Sequence, residues 1–83
     1  SPLFQLVITM KNPRFIYTRK RALDVIYDHA YRETEQTDGW DIACSTAYQV
    51  KQFYLRQSNA VINGHIADIK HGGNEELCTV IES

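Results

Sequence analysis

The 83-residue chain carries a net charge of −1, and its content of 43% hydrophobic and 23% charged residues is that of an ordinary globular domain. A chain of this length supports one hydrophobic core, so we expect a single domain over residues 1–83. No apolar run approaches the ~20 residues of a membrane-spanning helix and the first residues lack a signal-peptide pattern, which excludes membrane proteins and favours a cytoplasmic one.

The first quarter of the chain has the pattern of a β-hairpin. Apolar and polar residues alternate over Phe4–Met10, as they do in a strand with one apolar face. Lys11–Arg14 contains turn-forming residues, and Phe15–Tyr17 is rich in residues that favour strands. We therefore expect two antiparallel strands here.

Two helices are predicted next. Apolar residues at helical spacing indicate a first helix from about Arg19 to about Gln36, with Thr18 as its N-cap and residues 37–39 as its end. A second, longer helix follows, for which Thr46 begins a capping-box match, although the apolar pattern also allows a start near Asp41. Its predicted end is at residues 71–73, because His-Gly-Gly is a strong stop signal.

The last predicted element is a strand over Leu77–Ile81. The resulting order, β-β-α-α-β, predicts an α+β fold in which both helices pack on one face of a three-stranded, mostly antiparallel sheet. The alternative is a mainly α protein, a helical hairpin in which Asn12 caps one helix over Pro13–Gln36. We prefer the first interpretation because the second leaves Phe4–Met10 without a partner strand.

The charges are strongly segregated along the chain. Residues 1–23 hold five cations and no acid, whereas residues 24–83 hold four cations and all ten acids. Arg19, Lys20 and Arg21 fall in the first turn of the predicted helix, where the helix dipole disfavours cations by ~0.3–1 kcal/mol each. A cation cluster in an unfavourable position suggests a function.

One explanation of these cations is an anion site, because free N–H groups at a helix start and guanidinium groups both bind phosphate. Aromatic rings on the preceding strand could then stack on bases. The candidate anion or nucleic-acid site consists of Lys11, Arg14, Phe15, Tyr17, Arg19, Lys20 and Arg21. The alternative is a solvated end of the helix whose cations pair with Asp24 and Asp28, with both aromatic rings facing the core.

Histidine and cysteine offer weak candidates for chemistry. His29, His65, His71, Cys44 and Cys78 match no zinc-ligand spacing, so we predict no metal and no cofactor. Two cysteines are also too few for a disulfide-dependent secreted domain, which favours reduced thiols in the cytoplasm. A catalytic Cys–His pair would depend entirely on the fold.

The second predicted helix has aromatic residues around much of its circumference. Tyr48, Phe53 and Tyr54 form a candidate interface for self-association or a partner protein, unless the first helix covers them. We therefore predict a non-catalytic interaction or regulatory protein that docks on another macromolecule and can form a homo-oligomer. Its size suits a small accessory protein of a phage, plasmid or bacterium. A nucleic-acid-binding protein is the second hypothesis, and a small His/Cys-dependent enzyme is the third.

Overall fold

The computed structural model describes residues 15–83, and helices dominate this part of the chain. Its elements in chain order are strand β1 (Phe15–Thr18), helix α1 (Arg19–Asp38), helix α2 (Trp40–Leu55), helix α3 (Asn59–Lys70), a single 3₁₀ turn (Glu75–Leu77) and strand β2 (Cys78–Ile81). The predicted strand over Phe4–Met10 and the predicted turn over Lys11–Arg14 lie outside the described residues.

The described residues form a two-stranded parallel sheet, so the prediction of a three-stranded, mostly antiparallel sheet is wrong. Strand β1 pairs with β2 in a register that places Phe15 beside Cys78 and Thr18 beside Ile81. The predicted C-terminal strand is confirmed, but it runs in the same direction as β1.

The number of helices explains this difference. The single long helix predicted before residue 71 is in fact two helices, α2 and α3, separated by residues 56–58. Ser58 caps α3, because its side-chain oxygen accepts a hydrogen bond from the backbone N–H of Val61. Thr46 lies inside α2, so the capping box was misread, and the earlier start near Asp41 is the correct alternative.

Helix α3 folds back across the sheet and reverses the chain once more. At its start Asn59 donates a hydrogen bond to Glu82 just beyond β2, at 3.1 Å, and at its end His71 contacts Tyr17 of β1. Helix α3 therefore runs antiparallel to both strands. Because of this extra reversal, β2 enters the sheet from the same end as β1, as parallel pairing requires.

Several boundaries follow the sequence prediction closely. Thr18 caps α1 by accepting a hydrogen bond from the N–H of Arg21 at 3.1 Å, and α1 begins at Arg19 as expected. Gly72 and Gly73, with φ of +62° and +85°, end α3 in a conformation that favours glycine. The mainly α alternative fits in part, because most described residues are helical, but its helix from Pro13 is wrong since residues 15–18 are a strand.

The hydrophobic core lies where the first half of α1 meets α3 and β2. We call this part of the molecule the base. Ile26, Ile62 and Ile66 are its largest fully buried side chains, each worth roughly 1.5–3 kcal/mol of burial. The complete buried set is Ala22, Leu23, Ile26, Ile62, Ile66, Ala67, Cys78 and Val80.

The rest of α1 and the start of α2 form a protrusion that we call the distal arm, residues 27–48. Its two helices are joined at Gly39, whose φ of +87° permits the sharp turn. The described chain measures 55 × 23 × 14 Å, and its radius of gyration of 15.1 Å exceeds the roughly 11–12 Å of a compact domain this size. The molecule is therefore a small base with a long arm.

Among residues 15–83, no helix has the length and apolar character that crossing a membrane requires.

Candidate functional site

The predicted anion site falls at the junction of β1 and α1. Phe15 and Tyr17 lie on β1, and Arg19, Lys20 and Arg21 form the first turn of α1, as expected. The other two predicted members, Lys11 and Arg14, lie outside the described residues. The three described cations point to different surroundings and do not converge on one point.

Arg19 links the end of α2 to the start of α3. Its guanidinium group donates hydrogen bonds to the carbonyl oxygens of Leu55 and Gln57 and to Oδ1 of Asn59, each at 2.7 Å. Carbonyl groups at a helix end have no partner within the helix and carry partial negative charge. These contacts offset the unfavourable position of a cation at the start of α1, so Arg19 has a structural role.

The first N–H groups of α1 are also engaged within the chain. The N–H of Lys20 donates to Oγ of Ser83 at 2.8 Å, and that of Arg21 donates to Oγ1 of Thr18. Two of the N–H groups that were candidates for binding an external anion therefore have a hydroxyl partner. The side chains of Lys20 and Arg21 remain exposed and line two different clefts.

Beside the basic turn, three rings from β1 and the end of α3 form a cluster. The hydroxyl of Tyr17 lies 2.9 Å from Nε2 of His71, and the ring of Phe15 packs on the His71 ring at a centroid distance of 4.6 Å. Burial raises the pKa of Tyr17 above its usual value of 10.0, although Arg21 nearby opposes the shift. His71 was predicted to lie at the end of a helix, but no local pattern in the sequence indicated that α3 would bring it to β1.

The predicted aromatic interface is split between two surfaces. Tyr54 stacks on His65 of α3 with centroids 4.3 Å apart, and Phe53 contacts the edge of Tyr54 at 5.0 Å. Tyr48 lies five residues before Phe53, about 140° around the helix, and is 59% exposed. Tyr54 is thus partly covered within the monomer, whereas Tyr48 belongs to the distal arm.

His65 lies in an open cleft of about 440 Å³ between α2, α3 and the 3₁₀ turn. Tyr54 forms one wall, and Asp68 and Glu75 supply two carboxylates. Burial lowers the pKa of His65 below 6.5, and the nearby His29 lowers it further. Across residues 15–83, no cluster of three or more metal-ligating side chains is present.

The two cysteines lie far apart in the chain and face different neighbours. Cys78 is buried and its thiol contacts the carbonyl oxygen of Asn63 at 3.9 Å, and burial raises its pKa above 9.0. Cys44 lies beside Tyr27 in the arm. Both thiols are free, and neither is hydrogen-bonded to a histidine in the described part of the chain.

The distal arm exposes apolar side chains that the sequence analysis did not assign to a site. Trp40 is 69% exposed and Ile42 is 50% exposed, both in the first turn of α2. The sequence signal was present, since an indole follows directly on a Gly turn between two helices. The acidic residues on both sides of it, Asp38 and Asp41, are also typical of a solvated connection between helices, which masks this signal.

Comparison of the chain with protein-family models, with curated proteins and with solved structures finds no match.

Proposed function

We propose that this chain is a non-catalytic interaction protein that docks on a basic surface of a partner protein through its distal arm. The observation that carries this proposal is that the arm exposes the large apolar side chains of Trp40 and Ile42 while it buries only small ones. A regulatory role that acts by docking is part of the same proposal. So is a location in the cytoplasm, which is supported by two cysteines that are both free.

The arm gains little stability from its own packing. Ala43 and Ala47 are its buried residues, and no residue of α1 beyond Ile26 is buried. An alanine side chain offers a single methyl group, worth about 0.8 kcal/mol when buried. Large apolar surface at Trp40 and Ile42 is left to solvent, and such surface commonly marks a protein interface.

The charge of the arm indicates the kind of partner. Residues 27–48 contain five acids and a single arginine, and that arginine, Arg32, pairs with Asp28 at 3.0 Å. Of the other four acids, Asp38 and Asp41 flank the exposed Trp40 in the sequence, at the turn between the two helices. An apolar patch with an acidic rim is complementary to an apolar groove with a basic rim.

The absence of catalysis is part of the proposal and is supported by the thiol and imidazole groups. Burial disfavours the thiolate of Cys78, which is the nucleophilic form. His65 and His71 contact tyrosine side chains, and His29 lies 3.7 Å from Glu33. None of these contacts positions an imidazole as a base for either cysteine.

The test compares two double variants as bait in a lysate of the source organism. Trp40→Ser with Ile42→Ser removes apolar surface from the arm, whereas Val61→Ser with Ile81→Ser removes similarly exposed surface from the base. We expect one basic protein to be retained by the unmodified chain and the base variant, and to bind the arm variant at least about tenfold more weakly.

The captured protein is then purified and titrated directly, and its affinity should fall as salt is raised because the arm is acidic. Equal retention by both double variants would overturn the proposal. A dimer in light scattering that is lost in the arm variant would also overturn it, because the occupant of the arm would then be a second copy of this chain.

A further inference from the structure

The three cations at the start of α1 differ in whether the fold explains them. Arg19 is held by two carbonyl groups and Asn59. Lys20 lines a shallow cleft with two carboxylates and two further cations, and it forms no ion pair with a described residue. Arg21 forms no ion pair with any described residue, and residues 1–14 contain no acid. Among residues 15–83, no ion pair therefore offsets the cost of this cation at a helix start.

Arg21 lines a separate cleft of about 380 Å³ between β1, α1 and the end of α3. The lining residues are Tyr17, Arg21, Asp24, Val25, Asp28 and Lys70. Lys70 is the last residue of α3 and, like Arg21, has no carboxylate within ion-pair distance in the described part of the chain. The fold thus brings together two cations that are far apart in the sequence.

The acids of this cleft are already paired with cations outside it. Asp24 lies 3.1 Å from Nζ of Lys51, and Asp28 lies 3.0 Å from Nε of Arg32. Each carboxylate is thereby neutralised from outside the cleft. The charge left uncompensated inside is that of Arg21 and Lys70, which favours an anionic ligand.

A cluster of three aromatic rings, tilted with respect to one another, adjoins the cleft through Tyr17. Tyr17 lines the cleft, and its hydroxyl contacts His71, on which the ring of Phe15 packs. Phe15 is 47% exposed, so part of its ring can accept a further planar group. Cations beside an exposed aromatic ring are the arrangement by which proteins bind single-stranded nucleic acids without reading a duplex.

We propose that the cleft between β1, α1 and the end of α3 binds a phosphate group of single-stranded nucleic acid through Arg21 and Lys70, with an adjacent base stacked on Phe15. This site is separate from the distal arm and does not depend on the docking proposal. It differs from the site predicted from sequence because it excludes Arg19 and adds Lys70.

The test measures fluorescence anisotropy of a labelled oligothymidylate titrated with the full chain between about 50 and 200 mM salt. The variant Arg21→Gln with Lys70→Gln is compared with Arg56→Gln with Lys20→Gln, which removes the same charge outside the cleft. We expect the first pair to weaken binding at least tenfold more than the second. It should also reduce the slope of log K against log salt by about 0.7, as the loss of one neutralised phosphate predicts.

Further measurements test whether a base stacks on Phe15 and distinguish a nucleic-acid phosphate from free phosphate. Phe15→Leu should weaken binding more than Phe53→Leu, a matched change at an exposed ring of α2. The proposal is overturned if both charge pairs weaken binding equally, if duplex binds better than the single strand, or if inorganic phosphate competes at the same concentration as the oligonucleotide. Thermal melting of each variant confirms that it is folded.

Discussion

The base and the distal arm of this protein use opposite means of packing. In the base, three fully buried isoleucines join α1 to α3, and the sheet covers them. In the arm, two helices meet through small side chains and leave tryptophan and isoleucine exposed. Stability and recognition therefore lie in different parts of the molecule. The base gains most from burial, whereas the arm exposes the apolar surface that a partner can contact.

The two parts also differ in charge. The start of α1 and the end of α3 place Arg21 and Lys70 in the base, whereas the arm carries five acids against one arginine. A molecule 55 Å long, with a strongly acidic arm and nearly balanced charges in the rest of the described residues, presents different surfaces to different partners. If the base and the arm are as distinct as this comparison implies, equivalent substitutions in the two parts should have different effects.

The largest difference is expected from removing matched apolar side chains in the two parts. Ile66→Ala in the base should lower the free energy of unfolding by about 2–5 kcal/mol, because it removes a fully buried side chain and leaves a cavity. Ile42→Ala in the arm should change it by about 0.5 kcal/mol or less, since that side chain is half exposed. Urea unfolding measures both, and equal losses would contradict the division into base and arm.

A smaller effect is expected from the residue that connects α2 to α3. Arg19→Gln removes the contacts to the carbonyl oxygens of Leu55 and Gln57 and should cost about 1.5–3 kcal/mol. Arg21→Gln, two residues further along the same turn, removes the same charge without breaking an internal ion pair and should raise the free energy of unfolding by about 0.3–1 kcal/mol, because the helix dipole disfavours a cation here. Thermal unfolding distinguishes the two variants, and a similar change in both would show that the contacts of Arg19 with these carbonyl groups do not govern the start of α1.

The helix starts and stops show how far local sequence determines this fold. Thr18 and the glycines at 72 and 73 act within a few residues, so α1 and the end of α3 could be placed correctly. The break between α2 and α3 was missed because Ser58 is a cap with no supporting partner, while the apolar spacing continues on both sides. Without this break the predicted direction of β2 is also wrong, because the additional helix α3 reverses the chain once more before β2.

The candidate sites were harder to predict for a related reason. Charge order identifies a basic segment, but whether a cation in it is free depends on contacts across the chain. Arg19 meets carbonyl groups 36 and 38 residues away, and Lys70 joins Arg21 only because α3 folds back over the sheet. Spacing alone contains no information on either contact.

The smallest expected effect is a pH dependence that arises where the base meets the arm. His65 stacks on Tyr54 and faces His29, Asp68 and Glu75, and burial lowers its pKa below the value of 6.5 that it has when unfolded. Below pH 6.5 the unfolded chain then binds more protons at this residue than the folded chain does. The stability that His65 contributes is therefore complete above pH 6.5 and is lost as the pH falls towards the folded pKa.

His65→Phe keeps an aromatic ring on Tyr54 without a titrating group. In urea unfolding it should show a shallower fall in stability between pH 7 and pH 5 than the unmodified chain. An unchanged pH slope in this variant would show that burial and the nearby His29 do not disfavour the imidazolium of His65.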